Sequence, residues 1–251
     1  MGWNADKYLQ FENERTQPCI DLANRIRSFA PKSIIDLGCG PGNSTNVLQT
    51  VFPESDILGI DNSQNMIDKA RSAHPEIRFE LCGVRDISGS YDVIFSNACL
   101  QWLDDHDSLF EFLMSRLNDG GVLAVQMPMN GEEPLYRIIR EVVGSSDFDF
   151  SSVCFEKNDV LAPDKYYDIL SKCSSGFHIW ETVYYHTMKS HEQLIDWVRA
   201  TRLRPYLEAL RDEEKAAFES QILEKVRSAY PFTENGSIIL RFRRLFFTAV
   251  K

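Results

Sequence analysis

The chain has 251 residues, of which 43% are hydrophobic and 25% are charged. These are the proportions of an ordinary globular protein, and they exclude disordered, collagen-like and low-complexity classes. The 27 Lys and Arg residues against 37 Asp and Glu residues give a net charge of −10, which argues against nucleic acid as a partner. The charge is uneven, since residues 199–251 hold 11 basic against 7 acidic residues. This surplus favours a locally positive surface.

The chain also lacks the features of membrane, secreted and metal-binding proteins. No apolar run approaches the ~20 residues of a membrane span, and the polar first residues do not resemble a signal peptide. The six cysteines are well separated, with no C-x-x-C pair and no Cys/His cluster. We therefore expect reduced thiols, no metal site, no membrane partner and a cytoplasmic location.

Short apolar runs alternate with helical patterns over the first half of the chain. The helical patterns cover 4–29 (interrupted near Pro18), Asn43–Phe52, Asn65–Ala73 and His106–Leu117. The predicted strands are Ser33–Gly38, Asp56–Asp61, Ile77–Cys82, Tyr91–Ser96 and Gly121–Met127. Alternation of this kind indicates parallel pairing through right-handed crossovers, hence a doubly wound α/β sheet.

The second half of the chain has a different rhythm. Its predicted helices are Glu133–Val143, Tyr166–Lys172 and most of 190–230, broken at Pro205, and its predicted strands are Phe177–Met188 and Ile238–Val250. The prediction is one α/β domain over 1–251, with a mostly parallel seven-stranded sheet and a ligand-binding core at 30–130. We expect two helical insertions, 131–176 and 189–236, to cap the carboxyl edge of the sheet over a substrate.

A glycine-rich turn follows the first predicted strand and opens a helix. It reads Asp36-Leu37-Gly38-Cys39-Gly40-Pro41-Gly42, and Asp61 ends the next strand. Glycine lets a ligand approach the backbone closely, and a carboxylate at the second strand end can accept hydrogen bonds from both hydroxyls of a ribose. The pairing of the two features indicates a nucleoside-containing cofactor.

S-adenosylmethionine (SAM) and NAD both suit this layout. The spacing G-x-G-x-G departs from the G-x-G-x-x-G fingerprint of dinucleotide-binding proteins. Asp36, two residues before the first glycine, would repel a pyrophosphate but would favour the cationic groups of SAM. SAM is therefore the predicted cofactor, with S-adenosylhomocysteine (SAH) as its product.

The sequence resembles a known family over its whole length. DLGCGPGNST and GIDNSQNMIDKA resemble two motifs of class I SAM-dependent methyltransferases, which have a Rossmann-like fold. More narrowly, the chain resembles the trans-aconitate 2-methyltransferase family in segments that include SNACLQWLDDH (96–106), IWETVYYHTM (179–188), IDWVRATRLRP (195–205) and NGSIILRFRRLFF (235–247).

The resemblance implies methyl transfer from SAM to a carboxylate of a small polycarboxylic acid, trans-aconitate above all, to give a monomethyl ester. A carboxylate is already ionised near pH 7, so no residue is required as a general base. Two alternatives stay open: methylation of another small molecule, and SAM binding without catalysis.

The predicted cofactor-binding residues lie at the ends of the first four strands. They are Asp36, Gly38, Cys39, Gly40, Asp61, Asn62, Met66, Val84 and Asn97. Where the family tends to have an acidic residue that holds the adenine amino group, this chain has Gly83. We expect the Val84 backbone and packing from Met66 to hold the adenine instead.

The predicted substrate-binding residues combine aromatic, polar and basic side chains. They are Gln101, Trp102, Tyr184, Tyr185, His186, Arg199, Arg202 and Arg204. Arginine is favoured because its planar fork matches a carboxylate. Strand alternation puts Tyr184 and His186 on one face and Tyr185 on the other. Arg202 stands where the family usually has a small residue, and Trp3, Tyr8 and Arg15 are candidates for a lid by analogy.

Overall fold

A computed structural model describes residues 12–145, 147–151, 153, 160–199 and 201–251. The predicted lid residues Trp3 and Tyr8, and the side chain of Arg15, lie outside the described part. Among the described residues, no helix combines the length and the apolar character needed to cross a membrane.

Seven strands form one sheet in the order β3-β2-β1-β4-β5-β7-β6. They are β1 (Ser33–Leu37), β2 (Asp56–Asp61), β3 (Arg78–Leu81), β4 (Tyr91–Asn97), β5 (Leu117–Pro128), β6 (Gly176–Met188) and β7 (Ile238–Val250). The first five strands pair in parallel, and β7 pairs antiparallel with β5. The predicted seven-stranded, mostly parallel α/β fold is confirmed.

The helices connect and cover these strands. In chain order they are α1 (Glu12–Arg25), α2 (Asn43–Val51), α3 (Gln64–Ala73), α4 (His106–Ser115), α5 (Pro134–Val143), α6 (Pro163–Cys173), α7 (His191–Arg199), α8 (Arg204–Ala209) and α9 (Asp212–Ala229). Short 3-10 helices lie at Arg27–Phe29, Val84–Asp86 and Leu100–Trp102.

Burial explains why these strands consist mostly of apolar residues. Residues 34–37 of β1 are all buried, as are residues 93–96 of β4 and 121–127 of β5. A strand covered on both faces has no solvated side, so its sequence does not alternate. Helix α5 instead buries Leu135, Ile138, Ile139 and Val142, which is the spacing of a single helical stripe.

The chain divides into two compact units. The core unit comprises Arg15–Pro128, Lys157–Thr182 and Arg244–Lys251, and the second unit includes Met129–Glu156 and Val183–Arg243. The second unit has its own hydrophobic cluster, in which α5, α7, α8 and α9 contribute Ile139, Val198, Tyr206 and Phe218. The predicted cap over 131–176 and 189–236 stays a prediction, and the observed division places 157–176 with the core unit.

Two local predictions are wrong, one at Pro18 and one at a helix end. Helix α1 continues through Pro18 rather than being interrupted there. The predicted break at Pro205 is confirmed: α7 ends at Arg199 and α8 begins at Arg204, with Pro205 in its first turn, where the missing N–H is not needed. Leu117 begins β5 instead of ending α4, because it pairs with Tyr91 of β4 in the sheet.

Candidate functional site

The glycine-rich turn follows β1 and is shaped by close approach. Gly38 has φ +65°, and a Cβ atom there would lie 2.3 Å from the Sγ atom of Cys99. Cys99 belongs to the turn after β4, so the two strand-end turns are in contact. Gly40 also has a positive φ, +55°, but a Cβ there would meet no atom within 4 Å. The turn is therefore tightly packed at Gly38 and open at Gly40.

Three backbone donors of this turn form hydrogen bonds inside the protein. The N–H of Cys39 donates to Ile60 O at 2.8 Å, that of Gly40 to Asp61 Oδ2 at 3.0 Å, and that of Gly42 to Cys39 O at 3.0 Å. Pro41 has no N–H to offer. A pyrophosphate needs a cradle of free N–H groups. The N–H groups of Cys39, Gly40 and Gly42 are therefore not free to form one.

Asp36 lies near the end of β1 and is fully buried. Its Oδ2 atom accepts hydrogen bonds from Ser44 Oγ at 2.6 Å and Thr45 Oγ1 at 2.7 Å, both from the first turn of α2. Its Oδ1 atom has no partner among the described residues. Burial raises the pKa of this carboxyl from 3.8 to about 6. A buried acceptor of this kind suits a cationic donor such as an ammonium group.

Asp61 ends β2 and is held by two backbone donors. Gly40 N donates to its Oδ2 atom at 3.0 Å, and Ser63 N donates to its Oδ1 atom at 2.9 Å. Because each carboxylate oxygen can accept two hydrogen bonds, one position on each remains for a ribose hydroxyl. The side chain is half-buried, so it is accessible.

Two further acceptors lie at the carboxyl end of β4. Asn97 ends the strand, and its Oδ1 atom is buried with no partner among the described residues. Gln101 is buried, and its Nε2 atom donates to Ala98 O at 2.7 Å, which leaves its Oε1 atom without a described partner. With Asp36, the edge of the sheet thus holds three buried oxygens that need donors. SAM carries an α-ammonium group and fits this donor requirement.

The remaining predicted cofactor residues take different positions. The Cys39 side chain packs with Ile67, Ala70, Ile77 and Phe79 in a hydrophobic cluster, so only its backbone is available to a ligand. Its thiol pKa is raised by burial. Asn62 follows β2 and is exposed, whereas Met66, in the first turn of α3, and Val84, after β3, are half-buried.

Trp102 follows Gln101 in the 3-10 helix and is 53% exposed. It is therefore not a core residue, and its ring is available beside the end of β4. A hydrogen-bonded chain fixes this short helix: Leu161 N donates to Tyr166 Oη at 3.2 Å, Tyr166 Oη lies 2.8 Å from His106 Nδ1, and His106 Nε2 lies 3.0 Å from Leu100 O. The sequence analysis missed this network because its members are up to 66 residues apart.

The aromatic candidates on β6 lie in the second unit. Tyr184 and His186 stack with ring centroids 6.4 Å apart and an interplanar angle of 9°, which confirms that they share a face. His186 is buried and contacts Trp197 and Phe242 at centroid distances of 4.9 and 5.6 Å. Tyr185 points to the other face and is 64% exposed.

The three predicted arginines of the second unit differ in their partners. Arg199 forms ion pairs with Asp196 and with Glu219, the latter at 2.6 Å. Arg204 is exposed and lies 3.7 Å from Glu208. Arg202 is half-buried, its Nε atom is buried without a partner, and it forms no ion pair with any described residue. Of the three, Arg202 is the cation that is free to bind an external carboxylate.

Comparison with known proteins agrees with this geometry. The methyltransferase domain family matches residues 11–169. Trans-aconitate 2-methyltransferase of Escherichia coli (strain K12 / DH10B) is 43% identical over 249 residues, covering 98% of this chain and 97% of that protein. The protein of the same name from Shigella flexneri is also 43% identical over the same share of both chains.

Solved structures share the fold at much lower identity. The plantazolicin methyltransferase BpumL, solved in complex with SAH, has a TM-score of 0.54 and 16% identity over 98% of this chain and 89% of its own. The YcgJ protein from Bacillus subtilis has a TM-score of 0.61 and 13% identity over 92% of this chain and 98% of its own. The chain therefore belongs to the trans-aconitate 2-methyltransferase family and has the fold of class I methyltransferases.

Proposed function

We propose that this protein transfers the methyl group of SAM to one carboxylate of a small tricarboxylic acid, trans-aconitate, to form a monomethyl ester. The observation that carries the proposal is the 43% identity to trans-aconitate 2-methyltransferase over 98% of the chain. The free acceptors at the carboxyl ends of β1 and β4 support it, because they match the cationic end of SAM.

Several residues of the core unit would hold the cofactor. Asp61 would accept the ribose hydroxyls, and the buried oxygens of Asp36 and Asn97 would accept from the α-ammonium group. Gln101 also offers an acceptor oxygen, so we assign it to cofactor binding rather than to substrate binding. When bound, SAM supplies an electrophilic methyl group on a sulfonium centre.

The protein's remaining task is to position the acid and neutralise its charge. The reacting carboxylate needs no general base, so alignment and exclusion of water would supply the rate enhancement, of the order of 7–11 kcal/mol when alignment is good. Trp102 offers an apolar ring to exclude water. Arg202 would bind a carboxylate that does not react, because its guanidinium has no acidic partner among the described residues.

The test is an assay with methyl-labelled SAM and a panel of acids. Trans-aconitate, cis-aconitate, isocitrate and citrate are incubated separately with the protein, and methyl esters are detected by mass spectrometry. We expect trans-aconitate to give the highest kcat/KM. If a different acid gives the highest kcat/KM, that acid rather than trans-aconitate is the substrate. If the protein binds SAH but forms no ester, it is a SAM-binding protein without this activity.

A further inference from the structure

The chain after β3 carries a carboxylate that the motifs do not reveal. The 3-10 helix Val84–Asp86 is closed by a hydrogen bond from Asp86 N to Gly83 O at 3.0 Å. A Cβ atom built on Gly83 would lie 2.5 Å from Asp86 Oδ2 and 3.5 Å from its Cγ atom. The carboxylate of Asp86 therefore occupies the space that a side chain at position 83 would fill.

The topology places this carboxylate next to the ribose-binding residue. Strand β3 is the parallel neighbour of β2, and Cys82 N donates to Asp61 O at 3.0 Å, so the backbone after β3 runs beside Asp61. A nucleoside whose ribose is bound by Asp61 and whose other end extends toward β1 and β4 must direct its base toward β3. The Gly83–Asp86 turn is the part of the chain that follows β3.

The chemistry of the two groups is complementary. The 6-amino group of adenine is a hydrogen-bond donor, and a carboxylate accepts such bonds strongly. Asp86 is exposed, and no described residue forms a hydrogen bond or ion pair with its carboxylate. We propose that Asp86 binds the adenine amino group of the cofactor from the position that Gly83 leaves empty. This inference rests on the cofactor site of the proposed function.

The experiment compares two ligands that differ at the position Asp86 would contact. SAH and its 6-oxo analogue, S-inosylhomocysteine, are titrated into the full-length protein by calorimetry. A charge-assisted hydrogen bond predicts that the wild-type protein prefers SAH by about 10- to 100-fold. In Asp86→Ala, SAH affinity falls by a similar factor and the preference disappears. The double variant Gly83→Asp/Asp86→Ala restores the preference, because its carboxylate projects into the same space.

A matched control removes an equal charge from the same region. Glu80 lies on β3, is exposed and pairs with Arg78 at 3.4 Å, so Glu80→Ala should keep both the affinity and the preference. Equal discrimination by wild type and Asp86→Ala would overturn the inference, as would an equal loss in Glu80→Ala. The titrations contain no organic acid, so they test the role of Asp86 even if the protein forms no ester.

Discussion

At the scale of single residues, the site buries the carboxyl group of Asp36, and burial disfavours its charged form. Asp36 is buried, has two hydroxyl donors on one oxygen and none on the other, and has a pKa raised by burial to about 6. A folded-state pKa above the ordinary value of 3.8 means that the folded protein holds this proton more tightly than the unfolded chain. The free energy of unfolding of the ligand-free protein therefore decreases as pH rises from about 4 through about 6.

Asp36→Asn should consequently stabilise the ligand-free protein while weakening cofactor binding. Near pH 7 we expect the free energy of unfolding in urea to rise by about 1–3 kcal/mol, since the shift of about two pKa units corresponds to roughly 3 kcal/mol. SAH affinity should fall about tenfold or more, because a charge-assisted bond to the ammonium group is lost.

The pH dependence provides the control for this prediction. The stability advantage of Asp36→Asn should shrink as pH is lowered from about 7 to about 4, because wild-type Asp36 is then neutral as well. A variant that is less stable than wild type at both pH values, with unchanged SAH affinity, would show that Asp36 has neither role.

Substitutions of Gly40, which has open surroundings, and of Gly38, which is crowded, distinguish the cost of backbone strain from the cost of steric overlap. Gly40→Ala should cost about 1–2 kcal/mol of unfolding free energy, the strain of a left-handed backbone alone. Gly38→Ala should cost about 2–5 kcal/mol, because its Cβ atom also overlaps Cys99. Urea denaturation without ligand measures both, and equal losses would contradict the close packing of Gly38 on Cys99.

At the scale of elements, the strands were predictable and the contacts between distant segments were not. The predicted boundaries of β2 and β7 match the structure because each consists mostly of apolar residues, many of them buried. The sequence also predicts the Asp36–Gly42 turn and Asp61, since each follows a strand at a motif spacing. The His106–Tyr166 network depends on packing between distant segments, for which one sequence carries no periodic signal. The position of Asp86 depends on a local 3-10 turn that no motif marks.

The His106–Tyr166 network predicts that loss of the Tyr166 hydroxyl destabilises the protein. Tyr166→Phe removes the hydroxyl that joins α6 to His106 and leaves a buried imidazole nitrogen unpaired, which should cost about 1–3 kcal/mol. The control is Tyr167→Phe on the same helix, where the side chain is 59% exposed and the expected change is within about 0.5 kcal/mol. Equal effects in urea denaturation would exclude the network as a source of stability.

At the scale of the whole molecule, charge counted along the chain differs from charge counted in the fold. The basic surplus of 199–251 is largely neutralised: Lys225 pairs with Glu141 at 2.7 Å and Arg227 with Glu192 at 3.0 Å, both outside that segment. Together, 129–156 and 183–243 hold 12 basic and 15 acidic residues. The positive net charge expected from the linear count is therefore not found in these two segments of the second unit.

This distribution predicts how salt affects turnover of a tricarboxylic acid. A protein with a net charge of −10 repels a trianion over long range, whereas contact with a half-buried arginine is short-range and weakly screened. Raising the salt concentration from about 20 mM to about 200 mM should therefore leave kcat/KM unchanged or raise it slightly. Arg202→Ala should lower kcat/KM about 10- to 100-fold at both salt concentrations without changing SAH affinity, while the exposed, ion-paired Arg227→Ala should not. A steep fall of wild-type kcat/KM with salt would instead indicate a broad positive surface that steers the acid, and equal activity of Arg202→Ala would remove that residue from the site.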